Sequence, residues 1–259
     1  MNPLINSLFV SLISQLIFFV YASSHKTDKL TDLSYGLGFV TVAIYCLSTS
    51  PNISSYKLVL LTMIILWGAR ISTYLLLRII KTGRDSRFDG IRENFWKFAR
   101  FWLLQGFSVW VISLPAIYLL SLNQPTEINT WAIIGLIIWL SGVFIETLAD
   151  LQLYKFRFGN HPETNPWIDS GLWHYSRHPN YFGEILLWWG IFIYGASYYT
   201  GTYWLTIIGP IFITLLITKV SGIPILEKSA DQRWGKEIEY KKYQRNTPIL
   251  IPNFFKHKS

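Results

Sequence analysis

The stretch Arg177-His-Pro-Asn-Tyr-Phe-Gly-Glu184 opens an apolar run that extends over residues 185–198. The run can enter a bilayer, which places polar side chains where a membrane helix meets water. Ionisable groups at such depth are costly and usually face a cavity or a ligand. Arg177 and Tyr181 alone would also fit a basic aromatic anchor at the interface. Asn180 and Glu184 lie four residues apart on one helix face, which favours a binding site.

The composition of the whole chain points to a membrane protein. Of its 259 residues 51% are hydrophobic and only 15% are charged, whereas soluble proteins carry about 25% charged residues. Apolar runs long enough to cross a bilayer recur along the chain. The first run, residues 4–21, lacks a basic n-region and a small-residue cleavage site, so we expect a span and not a signal peptide. The lone Cys46 can form no internal disulfide.

These runs predict an all-α, polytopic membrane protein with about seven transmembrane helices and a cytoplasmic C-terminal helical tail. No internal repeat or low-complexity segment interrupts the chain, so we expect a single integral membrane domain over residues 1–259. The predicted spans lie near residues 4–22, 32–49, 58–78, 100–120, 131–150, 181–199 and 202–220.

The basic residues predict how the chain is oriented. The net charge is +8, but its distribution argues against a nucleic-acid partner. With seven spans, all of the 23 basic residues except Lys57 and Arg70 fall on one side of the membrane. The positive-inside rule then places the C-terminus in the cytoplasm and the N-terminus outside.

The fifth predicted span ends in acidic residues that are unusual for a membrane helix. Glu146 and Asp150 are four residues apart on one face, and Arg157 follows about two turns later. A helix end that neutralises itself with salt bridges is one interpretation. Glu146 lies deeper in the span, which favours a functional role.

The histidines that follow do not predict a metal site. His161, His174 and His178 have no cysteine nearby that could complete a zinc-binding set. We expect no bound metal.

The polar tail alternates Glu and Lys from Glu227 onward, which predicts a helix that ends near Pro248. One interpretation is a basic surface helix attracted to anionic lipid, with Tyr240 and Tyr243 as interface anchors. Another is that the tail folds back over a cytoplasmic cavity. Guanidinium groups suit phosphates and aromatic faces suit purines, although the sequence contains no Gly-rich phosphate loop. The arginines available to such a cavity are Arg157, Arg177, Arg233 and Arg245.

Two of these segments resemble a known group of membrane enzymes. The stretch 173–184 and the Tyr-x4-Pro ending of the tail resemble the C-terminal halves of steroid 5α-reductases and of sterol C14/C7 reductases. Isoprenylcysteine carboxyl methyltransferases are similar but less close. The motif Arg-His-Pro-x-Tyr occurs in both the reductases and the methyltransferases. The motif Asn-Tyr-x-Gly followed by an acidic residue resembles the form found in the reductases. The whole chain resembles bacterial relatives of the 5α-reductases, which implies an inner-membrane location.

The resemblance implies that NADPH is the cofactor, with Asn180 and Glu184 at its nicotinamide end. It also implies that residues 126–259 form the cofactor-binding half and residues 1–125 the substrate side. Glu146 stands where the reductases have Asn, and Tyr74 follows Arg70 by four as in those enzymes. The implied cofactor-binding residues are Tyr74, Glu146, Asp150, Arg157, Trp173, Arg177, His178, Asn180, Tyr181, Glu184, Glu227, Arg233 and Tyr243.

The substrate side departs from the 5α-reductases. Their early Gln-Glu pair is not found here, and Trp67 stands in place of their next Tyr. The nearest polar residues are Asp32 and Tyr35 at the start of span two and Arg70 in span three. A tyrosine beside a carboxylate can act as a general acid. Asp32 could instead cap its helix or pair with Arg70. The candidate catalytic residues are therefore Asp32, Tyr35, Arg70 and Glu184.

The favoured function is an NADPH-dependent reductase of a carbon–carbon double bond in a lipid-like substrate, such as a steroid, sterol or isoprenoid, reached from the bilayer. An S-adenosylmethionine-dependent methyltransferase acting on a lipid or isoprenyl substrate is the alternative. A lipid-binding scaffold without enzymatic activity is a third interpretation.

Overall fold

A computed structural model describes residues 2–124, 126–159 and 166–254 of the chain. The structure is 76% helical, and no β-strand occurs in these ranges, which confirms the all-α prediction. The α-helices are α1 (Pro3–Ser24), α2 (Thr31–Ser48), α3 (Ser55–Thr82), α4 (Phe95–Ile112), α5 (Leu114–Leu120), α6 (Thr130–Phe158), α7 (Leu172–Tyr175), α8 (Pro179–Tyr194), α9 (Ile208–Leu215), α10 (Ile223–Trp234) and α11 (Ile238–Asn246).

Helices long and apolar enough to cross a membrane make the chain an integral membrane protein. Within the described ranges four helical segments qualify: Pro3–Ser24, Ser55–Thr82, Thr130–Phe158 and Gly201–Trp234. The bent pair α4 and α5 makes a fifth if it counts as one span. Helices also occupy the other two predicted spans, but α8 has only 16 residues and α2 does not qualify. The number seven therefore stays a prediction.

Local sequence explains where several helices begin and bend. The side chain of Asn2 accepts a hydrogen bond from the backbone of Leu4 at 3.0 Å, which caps α1. Asn94 caps α4 in the same way through Lys97. A bend of 54° separates α4 from α5 at Pro115, because proline lacks the N–H that would continue the helix.

The chain divides into two compact units by its internal contacts. The first comprises residues 1–134 and 191–209, and the second comprises residues 135–190 and 210–259. Asp32, Tyr35, Arg70 and Tyr74 belong to the first unit. All other candidate site residues belong to the second.

In the first unit, amide side chains join α1, α2 and α4 inside an apolar bundle. The Gln105 Nε2 donates to Gln15 Oε1 at 2.9 Å and to Ser34 Oγ at 3.0 Å. Gln15 in turn donates to the backbone oxygen of Ser34 at 3.0 Å. Gln15 is 1% exposed, so these bonds satisfy groups that have no access to water.

Lys57 has a structural role that its position in the sequence does not predict. The charge distribution suggests a lone cation beyond the end of a span, but the residue lies in the first turn of α3 and is 0% exposed. Its ammonium donates to Ser50 Oγ at 2.7 Å and to the backbone oxygens of Asn52 at 2.8 Å and Leu122 at 2.5 Å. Lys57 thus joins two turns of the first unit.

In the second unit, glycines let α6 and α8 touch backbone to backbone. A Cβ atom at Gly183 would lie 2.6 Å from the backbone nitrogen of Glu146. One at Gly142 would lie 2.6 Å from the nitrogen of Leu187, and one at Gly190 would meet Trp139 at 2.7 Å. Small residues at such contacts are typical of membrane helix pairs. The contact fixes the register of α6 against α8.

The C-terminal tail is two helices and not the one predicted. The helix breaks at Gly235 between α10 and α11, and α11 ends at Asn246, close to the predicted end at Pro248. The following segment bonds to the residues before α8. The backbone nitrogen of Arg177 donates to the oxygen of Pro248 at 2.8 Å, and that of Asn253 donates to Tyr175 at 3.0 Å.

Candidate active site

Two buried carboxylates mark the face of α6 that packs on α8. Glu146 is 2% exposed and Asp150 is 3% exposed, one helical turn apart. A buried carboxylate requires hydrogen bonds or a counter-charge to remain stable. The predicted acidic face of this helix is therefore an interior face.

Asn180 connects α8 to this acidic face. Its side-chain Nδ2 donates to Asp150 Oδ1 at 3.2 Å. Its Oδ1 is buried, and within the part of the chain that the structure describes no donor reaches it. Glu184 follows one turn later on α8 and is half-buried. The site thus contains an acceptor atom that an amide or hydroxyl donor from a ligand would satisfy.

Just before α8, Arg177 and His178 share one carboxylate of α10. An Arg177 guanidinium nitrogen donates to Glu227 Oε2, and His178 Nε2 lies 2.7 Å from Glu227 Oε1. The three side chains are only 14%, 7% and 19% exposed, in the order Arg177, His178, Glu227. The cluster fixes α10 against the start of α8. Arg177 Nε is buried, and no acceptor for it occurs among residues 2–124, 126–159 and 166–254.

Trp173 and Tyr243 hold the loop before α8 in place. The Trp173 indole donates to the backbone oxygen of Ala149 on α6 at 3.1 Å. The Tyr243 hydroxyl donates to the backbone oxygen of Trp173 at 2.8 Å. Burial raises the pKa of Tyr243, although the nearby Arg177 charge opposes the shift. Both residues therefore have structural partners at the edge of the site.

The remaining candidates of the second unit are more peripheral. Tyr181 stacks on His178, with ring centroids 5.8 Å apart. Arg157 is exposed at the end of α6, and Arg233 is exposed on α10. Arg245, the fourth arginine of the proposed cavity, is also exposed.

The candidates of the first unit lie on α2 and α3. Asp32 accepts a hydrogen bond from Arg78 at 2.7 Å, a partner that the sequence did not indicate. The capping interpretation of Asp32 is wrong, because Leu30 occupies the cap position and makes no side-chain cap bond. Tyr35 packs edge-on against Phe39 at 5.0 Å and Trp67 at 6.5 Å. Arg70 and Tyr74 are half-buried on α3.

The structure offers no obvious metal centre in the ranges it describes. No group of three or more His, Cys, Asp or Glu side chains with metal-binding geometry occurs among residues 2–124, 126–159 and 166–254. His161 lies outside the described residues.

Sequence reasoning missed three features of the site. It identified Glu227 but not its bonds to Arg177 and His178, because 49 residues separate Glu227 from His178. It missed the glycine contact between α6 and α8, although Gly142, Gly183 and Gly190 carried a signal as small residues in apolar helices. It also missed the bond from Ser176 Oγ to the backbone of Leu250, at 2.7 Å.

Comparison with known proteins gives one match. No curated protein and no solved structure matches the chain significantly. A family model matches residues 18–247, which is most of the chain. The chain therefore belongs to the family described as "Protein of unknown function (DUF1295)", which is commonly grouped with steroid 5α-reductase-like proteins.

Proposed function

We propose that the protein is an NADPH-dependent reductase of a carbon–carbon double bond in a lipid-like substrate of the steroid, sterol or isoprenoid class. The observation that carries the proposal is the buried Oδ1 of Asn180, which needs a donor, beside the carboxylate of Asp150. The resemblance of residues 173–184 to membrane reductases and the family grouping support it.

The side chains around Asn180 fit the nicotinamide end of the cofactor. The carboxamide NH2 of nicotinamide is a donor of the kind that Asn180 Oδ1 lacks. The hydrogen bond between Asp150 and Asn180 Nδ2 orients that oxygen. Arg177 Nε offers a buried donor for a phosphate oxygen, and Arg157 and Arg233 are exposed cations of the same unit. When bound, the cofactor would supply the hydride.

The protein's own residues would position and protect this end of the cofactor. Glu227 holds Arg177 and His178 in fixed orientations, because its two oxygens bind one each. Trp173 packs in an apolar cluster with Ala149 and Ile168 and bonds to α6, and the Tyr243 hydroxyl bonds to the backbone of Trp173, so the loop before α8 is fixed in place. Glu146 and Glu184 complete the polar lining of the α6 and α8 faces.

A double-bond reduction also needs a proton donor, and we assign this role to Tyr35. Asp32 and Arg70 would bias the proton of the phenol and meet the negative charge that develops on the substrate. Tyr35→Phe removes only a hydroxyl, so NADPH affinity should be unchanged while turnover falls by about 10², the usual scale for a general acid. NADPH oxidation with a substrate identified by screening measures this. Turnover within twofold of the original would exclude Tyr35.

One observation favours the methyltransferase alternative. Two buried carboxylates, Glu146 and Asp150, suit a cationic ligand such as the sulfonium of S-adenosylmethionine better than a polyanion. If the protein binds NADPH, the positive charges of Arg177 and the surface arginines must outweigh the negative charges of Glu146 and Asp150 where the phosphates of the cofactor bind.

Ligand-dependent thermal stability of the purified protein separates these functions. A ligand that binds only the folded state at 100 times its Kd stabilises it by about 2.7 kcal/mol. We expect NADPH to raise the melting temperature more than NADH or S-adenosylmethionine at equal concentration. A shift with S-adenosylmethionine alone supports the methyltransferase, and no shift with any of the three supports a scaffold.

A further inference from the structure

Helix α11 has two faces of different character. The inner face is in contact with the rest of the second unit: Tyr240 is 3% exposed, Thr247 is 2% exposed, and Tyr243 bonds to the loop before α8. The outer face, at positions i, i+3, i+4 and i+7, has one apolar and three cationic side chains. These are Ile238, Lys241, Lys242 and Arg245.

The outer face borders a shallow basic cleft of about 500 Å³. Its lining consists of Lys236, Ile238, Lys241, Lys242, Arg245 and Asn246. Lys241 lies 3.3 Å from Asp231, but no carboxylate of the described chain forms an ion pair with Lys236, Lys242 or Arg245. Glu237 and Glu239 are exposed nearby but do not line the cleft, and cations still outnumber acids over residues 236–246. The cleft therefore suits an anion.

Exposed apolar residues lie on α11 and on the segment that follows it. Ile238 is 84% exposed, Ile251 is 69% exposed and Phe254 is 57% exposed. The Phe254 ring lies 5.3 Å from that of Tyr175, next to the loop from which the apolar helix α8 begins. Apolar side chains beside cations, close to where a helix enters the bilayer, are typical of surfaces that rest on lipid.

We propose that the outer face of α11 and the segment 249–254 together bind the headgroups of anionic phospholipids. The cations would contact lipid phosphates, and Ile238, Ile251 and Phe254 would enter the headgroup region. The cations alone would also suit free phosphate, but only a lipid uses the exposed apolar residues. The proposal is independent of the proposed enzymatic function, because it involves neither the Asn180 site nor a cofactor.

Native mass spectrometry of the full chain in detergent tests this proposal. We expect phosphatidylglycerol to bind more tightly than phosphatidylcholine. Each cation near an anionic surface contributes about a fivefold factor, so Lys242→Ala with Arg245→Ala should weaken phosphatidylglycerol binding by about 25-fold. Ile238→Ser should weaken it by about threefold or more. A matched pair of exposed lysines elsewhere in the same unit, Lys155→Ala with Lys228→Ala, should leave it within about twofold.

Several results would overturn the proposal. These are equal binding of the two lipids, an unchanged affinity in the Lys242 and Arg245 double variant, or an equal loss in the matched control. Displacement of phosphatidylglycerol by millimolar inorganic phosphate would reveal a site for free anions instead. Because the mutated side chains are exposed, melting temperatures should stay unchanged. If the double variant unfolds, Lys242→Ala alone should still give the fivefold loss, and its absence would equally overturn the proposal.

Discussion

Glu227 is the residue that connects the C-terminal helices to the candidate site. It lies on α10, and its two carboxylate oxygens bind Arg177 and His178 immediately before α8. All three side chains are less than one fifth exposed, so water screens these contacts only partly. A single side chain therefore positions two of the candidate cofactor-binding residues.

Glu227→Gln tests this positioning role. Glutamine keeps the shape of the side chain but removes the charge that Arg177 needs, and leaving a buried charged group poorly paired costs about 1–3 kcal/mol. We expect a lower melting temperature in detergent and weaker NADPH binding. Glu239→Gln, an exposed acid on the neighbouring helix, serves as the control and should match the original protein. An unaltered melting temperature in Glu227→Gln would show that the cluster adds no stability.

At the scale of elements, glycines bring the backbones of α6 and α8 into close contact in the second unit. Gly183 lies between Asn180 and Glu184 in sequence, and its absent Cβ leaves room for the backbone of Glu146. The same contact therefore positions both polar residues of α8 against the acidic face of α6.

Gly183→Ala should separate these helices. The new Cβ would lie 2.6 Å from backbone atoms of both Glu146 and Gly142, which cannot rotate aside. Overpacking of this kind costs about 1–3 kcal/mol, more than the gain of up to about 1 kcal/mol from the better helix propensity of alanine. Thermal unfolding should show a destabilised protein with weakened cofactor binding. Ser141→Ala, on the exposed side of α6, is the control, and equal stability of the two variants would contradict the close contact.

The sequence patterns predicted the positions of the helices better than they predicted the contacts between them. Long apolar runs gave the positions of α1, α3 and α6, because hydrophobicity over about 20 residues is a local property. The break between α10 and α11 was not predicted. In a polar segment that alternates Glu and Lys, apolar residues do not recur at a helical spacing that would show where one helix ends. The pairs of Asp32 with Arg78 and of Glu227 with His178 were missed because they depend on how distant helices pack.

At the scale of the whole molecule, the distribution of basic residues predicts that the termini lie on opposite sides of the membrane. Cysteines introduced by Asn2→Cys and Asn246→Cys, in a Cys46→Ser background, test this prediction in sealed cells. An impermeant maleimide should label position 2 directly and position 246 only after permeabilisation, because the predicted number of spans, seven, is odd. Labelling of both positions from the same side would mean an even number of spans.

The central claim is that the site around Asn180 binds NADPH, and the affinity of the full chain for NADPH tests it most directly. We expect calorimetric titration to give tighter binding of NADPH than of NADH or S-adenosylmethionine. Asn180→Ala should weaken NADPH binding by about 5- to 100-fold, the equivalent of the 1–3 kcal/mol lost with a buried hydrogen-bond partner. Asn246→Ala, at an exposed position of α11, is the control and should bind NADPH with the affinity of the wild-type protein. Equal NADPH affinities for the wild-type protein and Asn180→Ala would contradict the claim. So would a protein that binds S-adenosylmethionine but does not bind NADPH.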